Sequence, residues 1–267
     1  MAKKHLGQNF LFDPSILRRL VEVSNVTAMD TVVEIGPGHG SLTALLSGTA
    51  KKVIALELDN DLFTKLQKKF EGAGNVVLVQ GDALTYAYET LETFKVVANI
   101  PYYITTPIIF RLMEAGQRLK SMTLTIQKEV AQRIIAGPNT KAYGILSIAV
   151  QYAAVPEFGF IIPRGAFKPV PKVDSAVIHL TMRKTPKVTV KDEKFFFTVI
   201  KTAFGQRRKT LSNALKPLSP DIREDLINAG IDPRRRAETL TIEEFAALAD
   251  GLKKTGLKKN IDINSAY

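Results

Sequence analysis

Phe94-Lys95-Val96-Val97-Ala98-Asn99-Ile100-Pro101-Tyr102-Tyr103 decides the architecture of this chain. The apolar run from Phe94 to Ala98 reads as a buried strand. Pro101 has no N–H to give to a ladder and pushes Ile100 out of the helical region, so the strand ends here. Such an ending leaves an amide, backbone carbonyls and an aromatic ring at the carboxyl end of a strand, the edge where open α/β sheets place ligands. An amide and a carbonyl accept hydrogen bonds from an amino group, and a ring beside them stacks on a flat heterocycle. The stretch is therefore either a plain strand-to-turn junction or one wall of a pocket for a base with an exocyclic amine.

Outward from it the same pattern repeats. Thr31 to Ile35, Val53 to Leu58 and Val76 to Gln80 read as strands, with helices over Leu42 to Leu46 and Leu62 to Phe70 between them. Downstream come a helix around Pro107 to Met113, a strand over Met122 to Gln127, and helices over Glu129 to Ala136 and Ile145 to Tyr152. Continuous apolar strands separated by amphipathic helices predict an α/β fold, a mostly parallel Rossmann-like sheet with helices on both faces. Two late strands, Val155 to Ile162 and Ala176 to Met182, are expected to form an antiparallel edge. Lys184-Thr185-Pro186-Lys187 reads as a linker. Beyond it Phe195 to Phe204, Thr210 to Leu215, Ile222 to Ala229 and Ile242 to Leu252 are helical. Two domains are expected, 1–183 and a small all-helical 184–267.

A chain of 267 residues, 45% of them hydrophobic, can bury a substantial core. No apolar run is long enough to cross a membrane and no signal peptide is evident, so a cytoplasmic protein without a membrane partner is expected. There is no Cys and there are only three His, His5, His39 and His179, far apart in sequence, so no metal site is expected. The formal net charge of +11 favours a polyanionic partner, nucleic acid first.

Glu34-Ile35-Gly36-Pro37-Gly38-His39-Gly40-Ser41 follows the first strand and opens a helix. Glycines there let backbone approach a ligand closely. The dinucleotide fingerprint G-x-G-x-x-G fails, because Ser41 holds the sixth position and Pro37 removes a donor that a pyrophosphate would use. Glu57, some twenty positions after Gly36 and at the next strand end, can accept both hydroxyls of a ribose. Asp82, at the third strand end, can accept from an adenine amino group. Either acid alone reads more readily as a helix cap. Both together, in register with the glycine loop and Asn99, describe an adenosine laid across strand ends without a diphosphate. S-adenosylmethionine is such a ligand. Nearer the start, Asp13 and Pro14 begin a helix, and Gln8-Asn9-Phe10-Leu11 before it reads as a segment folded over something rather than a frayed end.

With these stretches in hand the chain closely resembles the ribosomal RNA adenine N6,N6-dimethyltransferase family. The resemblance rests on Gly7-Gln8-Asn9-Phe10-Leu11, Glu34 to Gly38, Glu57-Leu58-Asp59, Gly81-Asp82-Ala83 and Asn99-Ile100-Pro101-Tyr102. It continues through Phe167-Lys168-Pro169-Val170-Pro171-Lys172-Val173-Asp174-Ser175 and Phe204-Gly205-Gln206-Arg207-Arg208-Lys209-Thr210-Leu211. The Gly-Pro-Gly loop, the Gln-Arg-Arg-Lys-Thr-Leu helix and Arg236 to Leu240 are similar to the small-subunit branch. Tyr103 and Thr105 depart from it, where Asn and Ser are commoner. The resemblance implies a class I methyltransferase fold, S-adenosylmethionine as cofactor with S-adenosylhomocysteine as product, and dimethylation of two adjacent adenosines near the 3′ end of small-subunit rRNA. It further implies an immature small ribosomal subunit as partner and a monomeric enzyme active in subunit biogenesis. By position, Asn9 and Leu11 would close over the cofactor, Gly36 and Gly38 meet its methionine part, Glu57 and Leu58 its ribose side, and Asp82 and Ala83 its adenine. Asn99, Ile100 and Pro101 would face the target amine, and Tyr102 and Phe167 would hold the target base.

The positive charge is clustered. Lys3 and Lys4 lie at the start, Arg164, Lys168 and Lys172 flank Phe167, and Arg207-Arg208-Lys209 and Arg234-Arg235-Arg236 lie in the helical part. One such run is usually a solvated face; four together are expected to form an RNA track. Rival readings are a nicotinamide oxidoreductase, a non-catalytic RNA-binding module, and a large-subunit rRNA methylase of the macrolide-resistance type.

Overall fold

The expected strands assemble into one sheet in the computed structural model, which describes residues 8–252. The elements are β1 (Phe10–Leu11), α1 (Pro14–Ser24), β2 (Thr31–Ile35), α2 (Ser41–Ser47), β3 (Lys52–Glu57), α3 (Asn60–Lys69), β4 (Val76–Gln80), β5 (Phe94–Asn99), α4 (Thr105–Met113) and β6 (Leu119–Gln127). They continue through α5 (Lys128–Ile135), α6 (Ile145–Ala153), β7 (Ala154–Ile162), β8 (Phe167–Lys168), β9 (Ser175–Met182), α7 (Glu193–Gly205), α8 (Leu211–Ala214), α9 (Ile222–Asn228) and α10 (Ile242–Gly251). The seven-stranded sheet has the order β4-β3-β2-β5-β6-β9-β7. The pairs β4–β3, β3–β2, β2–β5 and β5–β6 are parallel, and β9 runs antiparallel to β6.

The direction of winding reverses between β2 and β5, so the carboxyl ends of these two strands open a crevice. Local chemistry fixes where the flanking helices start. Asp13 caps α1 by accepting from the Ser15 and Ile16 amides, with Pro14 at the first helical position. Asp59 does the same for α3 through the Asp61 and Leu62 amides, and Lys68 and Lys69 sit in its last turn. One layer of core consists of Leu17 and Leu20 of α1, Leu42 and Leu46 of α2, and Val32, Val53 and Val97 of the sheet.

One element was not expected. β1 and β8 form a two-residue antiparallel ribbon, with Phe10 opposite Lys168 and Leu11 opposite Phe167. Two-residue strands carry too little periodicity to be read from sequence.

The described residues fold as two units, 8–131 with 155–184, and 132–154 with 185–252. This revises the division at 183/184: residues 132–154 belong with the C-terminal helices. Their apolar residues Tyr143, Ile148 and Tyr152 share a core with Phe196, Ile200, Leu226, Leu240 and Phe245. Tyr152 packs 5.4 Å from the rings of both Phe196 and Phe197. In this second unit α10 opens with a capping box, Thr241 with Glu244.

Candidate active site

The site lies in the first unit, at the carboxyl ends of β2, β3, β4 and β5. A cleft of about 900 Å³, part of it open to solvent, is lined there by Asn9, Gly36, Gly38, Glu57, Leu58, Asp82, Ala83, Asn99, Ile100, Pro101 and Tyr102. These are eleven of the residues expected in the cofactor and catalytic sets. Gln8, Phe10, Leu62, Leu84, Tyr103 and Ile104 complete most of the wall. Tyr103, not among the expected site residues, is 56% exposed.

The glycine loop takes its shape from three left-handed residues, Gly36, Gly38 and Gly40, with φ of 68°, 58° and 73°. A Cβ on Gly38 would come within 2.8 Å of the Phe10 ring. A Cβ on Gly36 would meet no protein atom within 4 Å, so Gly36 leaves room on the cleft side. Lys69 at the end of α3 donates to the His39 carbonyl at 2.7 Å and the Gly40 carbonyl at 3.1 Å, tying down the outer limb of the loop.

Glu57 is not a helix cap; Asp59 has that task. The Glu57 carboxylate is buried and accepts from the Gly38 amide at 3.1 Å and from the Asp59 amide at 2.9 Å. Burial pushes its pKa up, and backbone hydrogen bonding from Asp59, Gly38 and Leu58 opposes the shift. A carboxylate has about four lone-pair sites, so acceptor capacity remains on the cleft side for a ribose hydroxyl. Asp82 is exposed and accepts the Leu84 amide at 2.8 Å through Oδ1.

Asn99 closes β5. Its Nδ2 donates to the Asn9 carbonyl at 2.9 Å. That bond fixes which end of the amide is the donor, and so leaves Oδ1 as the acceptor. The Ile100 amide donates to the Thr125 carbonyl at 3.1 Å, holding the turn against β6. Tyr102 is half-buried, and its Oη lies 2.7 Å from Oγ of Ser175.

Two expected residues are placed elsewhere. Phe167 is fully buried and packs in the core with Leu17, Leu20 and Val177. Its ring does not line the cleft. Leu11 is 6% exposed, faces the same core, and lines a smaller neighbouring cavity with Glu34 and Asn99. The β1–β8 ribbon explains both: pairing turns the two side chains together into the core, and they hold the Gln8–Phe10 strap over the glycine loop. The strap is pinned further by Gln8 Nε2 donating to Asp59 at 3.1 Å.

Glu34 was not singled out by sequence. It is fully buried at the end of β2, and its Oε2 has no hydrogen-bond partner among the described residues. Burial pushes its pKa to about 8.

The expected RNA-contacting cations divide. Lys3 and Lys4 lie outside the described residues. Arg164, Lys168 and Lys172 are exposed on the segment around β8, and Arg208, Lys209 and Arg236 are exposed in the second unit. Arg207 instead donates to the Lys141 and Tyr143 carbonyls and pairs with Glu238, and Arg235 forks onto Glu244 and the Thr239 carbonyl. Arg234 pairs with Asp232. Among the described residues no cluster of His, Asp and Glu could hold a metal ion, and no helix is long and apolar enough to cross a membrane.

Comparison with known proteins agrees with this geometry. The family model for ribosomal RNA adenine dimethylase matches residues 1–254. A ribosomal RNA small subunit methyltransferase A of Moorella thermoacetica is 47% identical over 95% of this chain and 93% of its own length. Its counterpart in Clostridium botulinum is 48% identical over 92% of each chain. Among solved structures, a dimethyladenosine transferase from Plasmodium falciparum superposes with a TM-score of 0.77 at 26% identity, covering 90% of this chain and 95% of its own. The 23S rRNA methyltransferase ErmE gives 0.73 at 29% identity, covering 91% and 99%. The higher identity to the small-subunit enzymes settles the branch, and the failed dinucleotide fingerprint agrees with a methyl donor rather than a nicotinamide. The chain belongs to the ribosomal RNA adenine dimethylase family, S-adenosylmethionine-dependent methyltransferases of class I fold, on its small-subunit branch.

Proposed function

We propose that the cleft holds S-adenosylmethionine beside a flipped adenine of small-subunit rRNA and that Asn99 is the residue between them. The observation that carries this is the hydrogen bond from Asn99 Nδ2 to the Asn9 carbonyl, which assigns Oδ1 as the acceptor at the strand end. The residues present suit the cofactor. Glu57 keeps acceptor capacity for a ribose hydroxyl, Asp82 offers a second carboxylate one strand further, and the absent Gly36 side chain leaves a cradle. When bound, the cofactor supplies an electrophilic methyl group on a sulfonium.

The target amine is a poor nucleophile because its lone pair is delocalised into the ring. Asn99 Oδ1 and the Ile100 carbonyl accept its two N–H bonds and favour a pyramidal nitrogen. The proton released on transfer passes to solvent, so no strong general base is required. Positioning and fixed dipoles carry the rate enhancement. Tyr102 and the exposed Tyr103 compensate the stacking lost when the base leaves its helix. Phe167 lies in the core rather than against the base.

The finer reading is that two adjacent adenosines near the 3′ end each receive two methyls, within an immature small subunit, by a monomeric cytoplasmic enzyme. Arg164, Lys168, Lys172, Arg208, Lys209 and Arg236 are the cations available to the rRNA backbone; Arg207 and Arg235 serve the second unit's own packing. Incubation with labelled methyl donor and either immature small subunits or large-subunit rRNA, followed by mapping of modified adenosines, tests this. Label on paired adenosines of the small subunit supports it, and label on large-subunit rRNA alone overturns it.

A further inference from the structure

Ser175 lies outside every set of residues expected to touch cofactor or RNA, yet it is the partner of the aromatic residue in the cleft wall. It is the first residue of β9, fully buried, and paired in register with Gln127 of β6. Its Oγ lies 2.7 Å from Tyr102 Oη. The frame around it is tied on both sides. The neighbouring Asp174 gives its backbone carbonyl to the Lys128 amide at 3.0 Å and its carboxylate to the Arg164 amide at 3.0 Å. Ser175 is thus held by β6 and by the start of the segment bearing Phe167, Lys168 and Lys172.

A half-buried tyrosine on a turn can swing about χ1 unless its hydroxyl is held. Burial raises the Tyr102 pKa, so the hydroxyl stays protonated and able to donate. Polar groups at such depth are rarely left without a partner, and here each hydroxyl has the other at 2.7 Å.

We infer that Ser175 is a positioning residue for the target base: its hydroxyl holds the Tyr102 ring in the orientation from which that ring stacks. The inference rests on the reading that Tyr102 meets the adenine. It also gives the Phe167-to-Ser175 stretch a second task, since the strand start that seats Phe167's segment is the one that fixes Tyr102.

The test uses the full chain with S-adenosylmethionine and an rRNA substrate on which the parent enzyme turns over. Ser175→Ala and Tyr102→Phe should each lower kcat/KM for RNA about tenfold while leaving the Kd for S-adenosylmethionine unchanged. The double variant should be no worse than the poorer single variant, because both delete one bond. An RNA carrying 2-aminopurine at the target position should lose its binding-dependent fluorescence change in both variants. Losses that multiply in the double variant overturn the inference, as does an unchanged kcat/KM. Tyr102→Phe deletes the same bond from its less buried end, so it still tests the inference if Ser175→Ala fails to fold. A parent enzyme that methylates no RNA would instead remove the underlying reading.

Discussion

The buried Glu57 carboxylate accepts the Gly38 amide at 3.1 Å, joining the end of β3 to the glycine loop. One carboxylate therefore both shapes the loop and faces the cleft. Glu57→Gln keeps the size but replaces one acceptor oxygen with a donor, which opposes the Gly38 or Asp59 amide. The expected outcome is a loss of S-adenosylmethionine affinity of about ten- to a hundredfold, with RNA affinity unchanged. Titration calorimetry with cofactor, beside RNA binding measured by anisotropy, checks this; a cofactor Kd within twofold of the parent would exclude the role.

Asn99→Ala should separate binding from chemistry. The variant loses Oδ1 as acceptor and also the tie to Asn9, but none of the sheet core. Methyl transfer should fall at least about a hundredfold, the scale of one preorganised polar contact to a reacting group, while RNA is still retained. Single-turnover transfer of labelled methyl measures it. Unchanged turnover would sink the assignment of Asn99.

How much of this was legible in sequence follows from which signals are local. Glu57, Asp82 and Asn99 stand at strand ends marked by an apolar run and a breaker, so their neighbourhood follows once the strands are counted. The β1–β8 ribbon joins residues more than 150 positions apart through two-residue strands, and nothing local announces that Leu11 and Phe167 turn inward together. The same limit misplaced residues 132–154. The amphipathic pattern of α6 shows that one face is buried but not that Phe196 and Tyr143 cover the same core. Arg235 read as an RNA-facing cation because its acceptor, Glu244, belongs to a separate helix.

That distinction between arginines has a measurable consequence. Arg235→Ala breaks a part-buried fork onto Glu244 and the Thr239 carbonyl, and should cost roughly 1–2 kcal/mol of stability in the second unit. Arg208→Glu with Lys209→Glu should leave stability within about 0.5 kcal/mol. The pair should instead weaken RNA binding and flatten its dependence on salt by about one to two phosphate contacts. Thermal melts and anisotropy across a salt series read both effects, and reversed behaviour of the two variants would refute the division.

Glu34 makes the last prediction, about pH. Its folded pKa of about 8 lies above the ordinary 4.5, with burial as the main cause. Between those two values the unfolded chain has released the proton that the folded chain still holds. The folded state therefore binds more protons, and stability falls as pH rises from about 4.5 to about 8, then levels off. At about 1.4 kcal/mol per unit the contribution is on the order of 3–5 kcal/mol across that window. Glu34→Gln has no proton to lose, so its melting temperature should stay flatter over the same range and exceed the parent's at pH 8. Calorimetric scans of both proteins at half-unit steps from pH 5 to 8.5 show whether the curves diverge upward; parallel curves would mean that Glu34 is already ionised in the folded enzyme.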